Sequence, residues 1–591
     1  MKKNKWIIKN KTVNNIVFSL LGTIGIVKAY ELASTPNLSN NIINILIFIM
    51  LFNMYQKNGK YEKKEYIFSY CISIFLSIIL IIGTQLEVYG DIIWSIVTFI
   101  KITLLVFAII PICLYLIKSI RKINIKPSKK KISKINVITF GIIFICNFLA
   151  FLALYPGVYG YDAGFQILEV LDKNVQLTSH FSVPFCFLLG SCINFGKTVF
   201  NSYQIGLAIF SLIQMTFMTF VATKISLFIF KKTKNNVFWI LTVLFFSFFP
   251  PYTVMSLSTA QDVIFAGLFA LVFLNLIELS TNEEYYQKKT NAIKLVLLIF
   301  LTCIVRNNAL YALLIAIPFI LVFKKQQKIL TLIILIIPII LFKIYTGPIF
   351  KIMKVYNEPS TREMVSIPSQ QLARVYNYNY TILNKKELKL YDKYYLDLDN
   401  FEYYTINPEI ADLIKVELDV PKTKDDFGNY LYFWMKIGKK DPENYVEAFL
   451  MNTLGLWYPN KTYNDKRMYH PYLEYNMLDA KRWNKNYVEI KRDSKFPLYE
   501  KALKLIIEKN EWKNTPVISN LFIPGFYFLV YICTIGMCII KKKIYYLIPL
   551  SYIAGLYATL FLAPVSLFRY CFPIIILVPI MISMIIEKEK N

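Results

Sequence analysis

The feature that most constrains this chain is the recurrence of apolar blocks about 20 residues long between residues 14 and 586. Each block is long enough to cross a hydrocarbon core of about 30 Å as a helix. Because no water reaches the backbone there, only helices and closed barrels are stable in that environment. A barrel would show short segments of alternating polarity, and this pattern does not dominate the sequence. The sequence therefore predicts an all-α polytopic membrane protein with about 14 transmembrane helices.

The predicted spans have similar lengths and few charges. They cover residues 14–32, 40–56, 65–84, 92–117, 137–155, 204–230, 237–257, 259–280, 292–305, 308–323, 329–346, 520–540, 544–563 and 569–586. The segment from 292 to 323 is interrupted by polar residues, and it is compatible with two short helices meeting at the outer surface or with a single hairpin.

The formal net charge of +28 does not indicate nucleic-acid binding, because the lysines lie in short loops between the apolar blocks. Basic residues fall in every second loop, which is the positive-inside pattern of membrane proteins. These loops are 57–64, 118–134, 231–234, 288–294, 324–328 and 541–543. The pattern predicts a multi-pass protein of the plasma membrane with both termini in the cytoplasm. The first apolar block lacks a small-residue cleavage site, so we interpret it as a retained helix.

Four regions follow from the spans and the two long segments between them. A four-helix membrane extension is predicted at residues 1–136, and a seven-helix module at 137–346 with its first outer loop at 156–203. A water-exposed extracytoplasmic domain of mixed polarity is predicted at 347–519, before a final three-helix membrane segment at 520–591. Long connections of this kind often carry function.

The first outer loop begins with the sequence Tyr-Pro-Gly-Val-Tyr-Gly-Tyr-Asp-Ala-Gly-Phe-Gln, in which the aspartate is Asp162. Glycines and a proline favour a tight turn where the span leaves the bilayer. Asp162 then opens a short amphipathic helix, and the apolar residues Phe165, Ile167, Leu168 and Leu171 predict that this helix lies in the membrane interface. Asp162 suits both helix N-capping and catalysis, and the two roles can coexist.

Further along the same loop, His180, one of only two histidines, is followed closely by Pro184. A carboxylate just after a span, an interfacial helix, this His and Pro, and many spans together resemble the GT-C superfamily of membrane glycosyltransferases. The superfamily includes protein O-mannosyltransferases and lipid A aminoarabinose transferases, and the resemblance is best over residues 137–346. It implies a GT-C-like fold and a sugar donor linked to polyprenyl phosphate. Where some relatives carry an acidic pair, this chain has Asp162 followed by Ala163, which argues against a two-carboxylate metal site. A divalent cation is an open alternative, and its ligands are unknown.

Transfer from a lipid phosphate requires a base that activates the acceptor hydroxyl, whereas the phosphate leaves as a stable anion. We predict that Asp162 is this general base. Arginines at the outer membrane edge can bind two phosphate oxygens at once, and Arg306 and Arg569 are placed for this role. Snorkelling to lipid head groups is the alternative for both arginines.

Asp262 enters another span from the same outer face, in the sequence Ser-Thr-Ala-Gln-Asp. An acid at such a position binds sugar hydroxyls, pairs with an arginine, or only complements the helix dipole. His180 is a candidate for binding substrate or a metal, or is a structural hydrogen-bonding residue. The residues assigned to substrate binding are His180, Gln261, Asp262, Arg306, Asn307, Arg569 and Tyr570. In the large domain, residues 366–371 and tyrosine-rich runs are a candidate acceptor groove or a set of ordinary surface groups.

The predicted function is transfer of a sugar from a polyprenyl-phosphate donor to a glycan, lipid or protein acceptor of the cell envelope. A transporter or flippase for lipid-linked saccharides is an alternative from a different class, and such proteins often place polar groups near the bilayer midplane. In this chain the candidate polar residues fall at one surface, which favours chemistry there. A polysaccharide polymerase or ligase is a third alternative, which would use the same type of lipid-linked donor as the predicted glycosyltransferase.

Overall fold

The computed structural model describes residues 2–32, 42–57, 59, 61–123, 132–324, 326–358, 360–402, 413–459, 488–507, 518–563 and 566–587. Within these ranges all regular secondary structure is helical, and strand-like pairing is limited to isolated bridges. The predicted all-α class is therefore confirmed for this part of the chain.

Four helices form the N-terminal membrane extension. They are α1 (Lys2–Glu31), α2 (Ile43–Gln56), α3 (Lys63–Tyr89) and α4 (Ile96–Lys122). Helix α3 begins with a capping box between Glu62 and Glu65, and it ends at Gly90, whose φ of 72° is a conformation that glycine adopts without strain. The hydroxyl of Ser95 caps the start of α4.

The central region contains ten helices. They are α5 (Ile132–Ala153), α6 (Tyr161–Leu171), α7 (Val183–Phe200), α8 (Tyr203–Thr233), α9 (Asn236–Phe248), α10 (Pro250–Met255), α11 (Gln261–Thr281), α12 (Lys289–Val305), α13 (Asn308–Phe323) and α14 (Lys328–Ile344). The predicted span 237–257 is divided at Pro250, which lacks the N–H that a continuous helix needs. The predicted segment 292–323 forms two helices, α12 and α13, on either side of Arg306 and Asn307.

The inserted domain is a set of short helices that follows a π-helical turn at Tyr345–Ile349. They are α15 (Phe350–Ile352), α16 (Thr361–Met364), α17 (Ser366–Tyr378), α18 (Lys385–Tyr394), α19 (Asp399–Glu402), α20 (Val420–Asp425), α21 (Phe427–Lys440), α22 (Pro442–Trp457) and α23 (Pro497–Ile507). The last three helices are α24 (Pro524–Ile540), α25 (Leu547–Phe561) and α26 (Phe568–Ile586). Short 3-10 turns occur at Tyr285–Gln287, Tyr380–Ile382, Ser519–Phe522 and Ile544–Tyr546.

Ten helices of the described chain are long and apolar enough to cross a membrane. They cover Lys11–Glu31, Lys63–Tyr89, Ile96–Lys122, Lys134–Ala153, Val183–Phe200, Tyr203–Thr233, Gln261–Thr281, Lys328–Ile352, Ile544–Phe561 and Phe568–Ile586. Nine of them coincide with predicted spans. Several other predicted spans correspond to shorter apolar helices, such as Asn308–Phe323 and Pro524–Ile540. The chain is thus a multi-pass helical membrane protein, while the predicted count of 14 spans stays a prediction.

Helix α7 is the tenth long apolar helix, and it lies in the segment predicted as the first outer loop. Its position is fixed by α8, which is tied to the end of α26 by an ion pair between Lys232 and Glu587. Eighteen residues, or about 27 Å of helix, separate Lys232 from Gln214 on α8 and Glu587 from Arg569 on α26. Gln214 and Arg569 therefore lie at a similar level along the axis of the helical bundle. The earlier part of α8 continues past this height, and α7 packs against it so closely that Gly196 meets the backbone of Gly206.

The centre of the bundle is the packing of α8, α11, α13, α25 and α26 around one large apolar core. Gly555 of α25 touches the backbone of Ala312 of α13, because a glycine allows two helices to approach closely. The interfacial position of α6 stays a prediction, but its apolar face does not face lipid. Its residues Ile167 and Leu171 pack into a core with α7 and α8, because α7 provides an apolar partner in place of lipid.

The inserted domain has its own core, rich in tyrosines such as Tyr391, Tyr395 and Tyr430. The predicted acceptor groove at residues 366–371 does not line a surface, since Ser366, Ser369, Gln370 and Gln371 are buried in α17. Gln371, for example, accepts a hydrogen bond from the indole of Trp434. The polar groups of this segment form hydrogen bonds inside the domain, so both interpretations of residues 366–371, as an acceptor groove and as ordinary surface groups, are wrong.

Candidate functional site

The candidate site is built where two turns, one before α6 and one before α11, pair with each other. The backbone N–H of Val158 donates to Leu257, and that of Thr259 donates to Val158, each over 2.9 Å. The hydroxyl of Thr259 also accepts from the N–H of Gly160 over 2.7 Å. Each turn is followed within four residues by an aspartate, so this pairing brings Asp162 and Asp262 to the same end of the bundle.

Gly157 is required at the first of these turns. Its φ is +138°, a conformation that residues with a side chain rarely adopt. A Cβ atom at this position would also collide with the hydroxyl of Ser211 on α8. The turn therefore fits against α8 only because residue 157 has no side chain.

Asp162 is ion-paired with Arg569, whose Nη1 lies 2.5 Å from Oδ2 of the aspartate. Gly160 is the N-cap residue of α6, and Asp162 lies in the first turn without forming a capping hydrogen bond. The N-capping interpretation of Asp162 is therefore wrong, because the side chain turns toward the arginine. Its negative charge still lies at the favourable end of the helix dipole.

Asp262 is the second acid of the cluster, and its side chain is almost completely buried. It forms a direct ion pair with Arg306 and lies 3.6 Å from Nε of Arg569. Of the three predicted roles of Asp262, the structure contains the pairing with an arginine, and the carboxylate also lies in the first turn of α11, where it complements the helix dipole.

Tyr570 lies between the two arginines. The guanidinium carbon of Arg306 is 4.4 Å from the centre of its ring, and that of Arg569 is 5.3 Å away. Both distances are within the range of cation–π attraction. We call Asp162, Asp262, Arg306, Arg569 and Tyr570 the ion cluster. Its members come from the starts of α6, α11 and α26 and from the turn between α12 and α13.

The remaining predicted substrate-binding residues lie around the ion cluster or apart from it. Gln261 accepts a hydrogen bond from the backbone N–H of Ser182 over 3.1 Å, and thereby joins the loop after α6 to the start of α11. His180 instead pairs with Glu358 of the inserted domain over 3.2 Å, with both side chains about half exposed. Asn307 is exposed on the turn beside Arg306. The structure thus brings five of the eight predicted residues together in the ion cluster. Gln261 lies next to the cluster, whereas the side chains of His180 and Asn307 lie outside it.

The loop that carries His180 is held by the inserted domain. Ser179 donates through its backbone to Tyr356 over 2.9 Å, and Tyr356 donates to Leu177 over 2.8 Å. His180 is only two residues from Ser182, so its loop borders the site although its side chain pairs with Glu358. Sequence reasoning had no means of finding this partner, because Glu358 lies 178 positions further along the chain.

A divalent cation would need a set of carboxylate or imidazole ligands. Within the described residues, no group of three or more His, Cys, Asp and Glu side chains is arranged to hold a metal ion. The two aspartates of the ion cluster face arginines. The guanidinium groups therefore occupy the space in which a metal ion bound by these carboxylates would sit. The cation stays a prediction without assigned ligands.

Two polar residues that the sequence analysis passed over lie on the same helix as Asp162. Gln166 and Glu169 are four and seven residues after Asp162, a spacing that places all three on one face of α6. Gln166 is 1% exposed and Glu169 is 8% exposed. Their spacing from Asp162 was a signal available in the sequence.

Comparison with known proteins gives a single finding. No curated protein and no solved structure matches the chain. A protein family described as a family of unknown function, DUF6020, matches residues 170–591. The matched region contains Asp262, Arg306 and Arg569, and it begins eight residues after Asp162. Because this match covers well over half of the sequence, the chain belongs to the DUF6020 family.

Proposed function

We propose that this protein is a membrane glycosyltransferase of the GT-C type, which moves a sugar from a polyprenyl-phosphate donor to an acceptor of the cell envelope. One observation carries the proposal. Two arginines and two aspartates from four distant segments meet around one tyrosine ring at one end of a helical membrane bundle. Burying this many charges is costly, and purely structural needs rarely lead to it in a membrane protein.

The proposed orientation places the ion cluster at the outer leaflet. Lys232, Lys541 and Lys543 gather around Glu587 at the opposite end of the bundle. Because positive side chains favour the cytoplasmic side, that end faces the cytoplasm in the plasma membrane. Both chain termini then lie in the cytoplasm, and the inserted domain lies outside the cell.

The two arginines would bind the phosphate of the donor. A guanidinium presents several N–H groups in a fixed plane and can hold two phosphate oxygens at once. Both arginines are now neutralised by aspartates, so a phosphate would compete with Asp162 for Arg569 and with Asp262 for Arg306. Competition of this kind would free the Asp162 carboxylate when the donor arrives.

In the proposed step, an oxygen of the Asp162 carboxylate accepts the proton of the acceptor hydroxyl. The hydroxyl oxygen forms a bond to the anomeric carbon of the sugar while the bond between that carbon and the phosphate oxygen breaks. The electron pair of the broken bond stays with the polyprenyl phosphate, whose added negative charge is balanced by the arginines. The products are the glycosylated acceptor, free polyprenyl phosphate and a protonated Asp162.

The test is an assay of purified protein in lipid nanodiscs with a panel of polyprenyl-phosphate hexoses and a cell-envelope extract as acceptor. We expect release of free polyprenyl phosphate, and we expect Asp162→Asn to lower its rate by at least about 100-fold. Asp425→Asn is the matched control, because Asp425 is exposed on the inserted domain. Equal rates for both variants would remove Asp162 as the base. Movement of the lipid-linked sugars across the membrane without any release of polyprenyl phosphate would instead favour a flippase.

A further inference from the structure

A second group of polar side chains lies next to the ion cluster and is unsatisfied. Oε1 of Gln166, Oε2 of Glu169 and the hydroxyl of Tyr345 are buried, and none has a hydrogen-bond partner in the described part of the chain. A buried oxygen without a partner loses the hydrogen bonds that it makes with water in the unfolded chain, which is energetically unfavourable. Native proteins satisfy most such atoms, so three in one neighbourhood are candidates for hydrogen bonds to a bound ligand or to water.

The three oxygens belong to one neighbourhood because the same residues link them. Oε1 of Glu169 accepts from the hydroxyl of Thr178 over 2.6 Å, which fixes the carboxyl, and this carboxyl lies close to the thiol of Cys186. The same thiol interacts with the hydroxyl of Tyr345. Tyr345 also packs against a small core that contains Val183, which lies three residues before Cys186 on α7. Gln166 lies one helical turn from Glu169 on the same face of α6.

Two further features set this group apart from ordinary core polar residues. Tyr345 is the first residue of the π-helical turn that ends α14, and such turns are frequent at functional sites. Burial raises the pKa of the Glu169 carboxyl above its usual range, although the hydrogen bond from Thr178 opposes this effect. A carboxyl in this environment accepts hydrogen bonds from hydroxyl groups without requiring a cationic partner.

We propose that Gln166, Glu169 and Tyr345 form a carbohydrate-binding subsite beside Asp162, in which ring hydroxyls of a sugar complete the three buried oxygens. The amide, the carboxyl and the phenol can each accept a hydrogen bond from a sugar hydroxyl. This subsite rests on the proposed function and deepens it, because it separates the residues that hold the sugar from the arginines that hold the phosphate. Because Gln166 and Glu169 follow Asp162 on α6, the subsite suits either the donor sugar or an acceptor glycan.

The test compares two kinds of binding by protein in nanodiscs. The first is the affinity for polyprenyl phosphate alone, which reports the arginines. The second is the gain in affinity when a hexose from the panel is attached to that phosphate. We expect Tyr345→Phe and Gln166→Met each to reduce this gain by about 10-fold and to leave the affinity for bare polyprenyl phosphate unchanged. Tyr311→Phe is the matched control, because Tyr311 is exposed on α13.

A second arm measures binding of soluble cell-wall oligosaccharides to the same variants. A loss in the first arm assigns the subsite to the donor sugar, and a loss in the second arm alone assigns it to the acceptor glycan. Unchanged binding of Tyr345→Phe and Gln166→Met in both arms overturns the subsite even if polyprenyl phosphate binds. Failure of the wild type to bind polyprenyl phosphate at all would instead count against the proposed function, while a loss of oligosaccharide binding would still support the subsite.

Discussion

At the scale of single residues, each charged side chain of the ion cluster is neutralised by an oppositely charged neighbour. Asp262 is the only direct ion-pair partner of Arg306 among the described residues, and both side chains are largely buried. We expect Asp262→Asn to leave the guanidinium of Arg306 uncompensated and to lower the free energy of unfolding by about 3–5 kcal/mol. Thermal unfolding in detergent, with Asp425→Asn as control, measures this loss. An unchanged unfolding temperature would mean that water already compensates Arg306.

A substitution at Arg569 can separate the effect of its positive charge from the effect of its planar guanidinium group. Lysine at this position keeps the positive charge but loses the planar group that contacts Asp162 and the ring of Tyr570. We expect Arg569→Lys to raise the KM for a polyprenyl-phosphate sugar by about 10-fold, since one of two phosphate contacts is lost. Lys424→Arg on the inserted domain serves as the control exchange. A KM identical to that of the wild type would mean that Arg569 does not contact the phosphate.

At the scale of helices, α22 fastens the inserted domain to the membrane extension. Glu447 of α22 pairs with the fully buried Arg374 of α17 over 2.6 Å, and Arg374 also donates to the carbonyl of Gly90 in the turn after α3. On the same helix, Asn452 donates to Ala563 and accepts from Ser566, just before Arg569. Helix α22 therefore links the N-terminal extension to the segment that leads into the ion cluster.

This link should depend on pH. Burial and a hydrogen bond with Asp91 raise the pKa of Glu447 to about 7, although Arg374 opposes the shift. A carboxyl with a raised pKa binds its proton more tightly in the folded than in the unfolded chain. Its contribution to stability is therefore fully present at pH values below the unfolded pKa of about 4.5, and it is lost as pH rises toward 7.

We expect this loss to be on the order of 1–3 kcal/mol and to be absent in Glu447→Gln. Unfolding temperatures of the wild type and the variant, compared between pH 4.5 and 8, measure the difference. Parallel pH profiles for the two proteins would show that Glu447 is not the titrating group.

The helices also show what the sequence could and could not predict. The span predicted at 569–586 matches α26, Phe568–Ile586, because an uninterrupted apolar run indicates a helix on its own. Helix α7 was missed because Gly190, Asn194 and Lys197 interrupt its apolar pattern, and packing against α8 stabilises it instead. The position of both arginines at the ends of spans could be predicted from the sequence. Their partners could not, because the choice between Asp162 and Asp262 is made by tertiary packing over hundreds of residues.

At the scale of the whole molecule, the proposed orientation can be measured directly. Lys424 lies on the inserted domain and Lys288 precedes α12, near the end of the bundle opposite to the ion cluster. We expect a membrane-impermeant thiol reagent to label Lys424→Cys in intact cells and Lys288→Cys only after the membrane is opened. The wild type, with its native cysteines, sets the background. Labelling in the reverse order would place the ion cluster on the cytoplasmic side and contradict transfer to an external acceptor.

The short pairing between the turns before α6 and α11 has a mechanical consequence. The backbone N–H and C=O of Val158 are both hydrogen-bonded to the strand-like segment 257–259, so the starts of α6 and α11 are held together. A ligand that shifts the backbone at the start of α6 would therefore also shift the start of α11, which carries Asp262. The pairing thus gives a direct path by which a backbone movement at Asp162 would reach the carboxylate that pairs with Arg306.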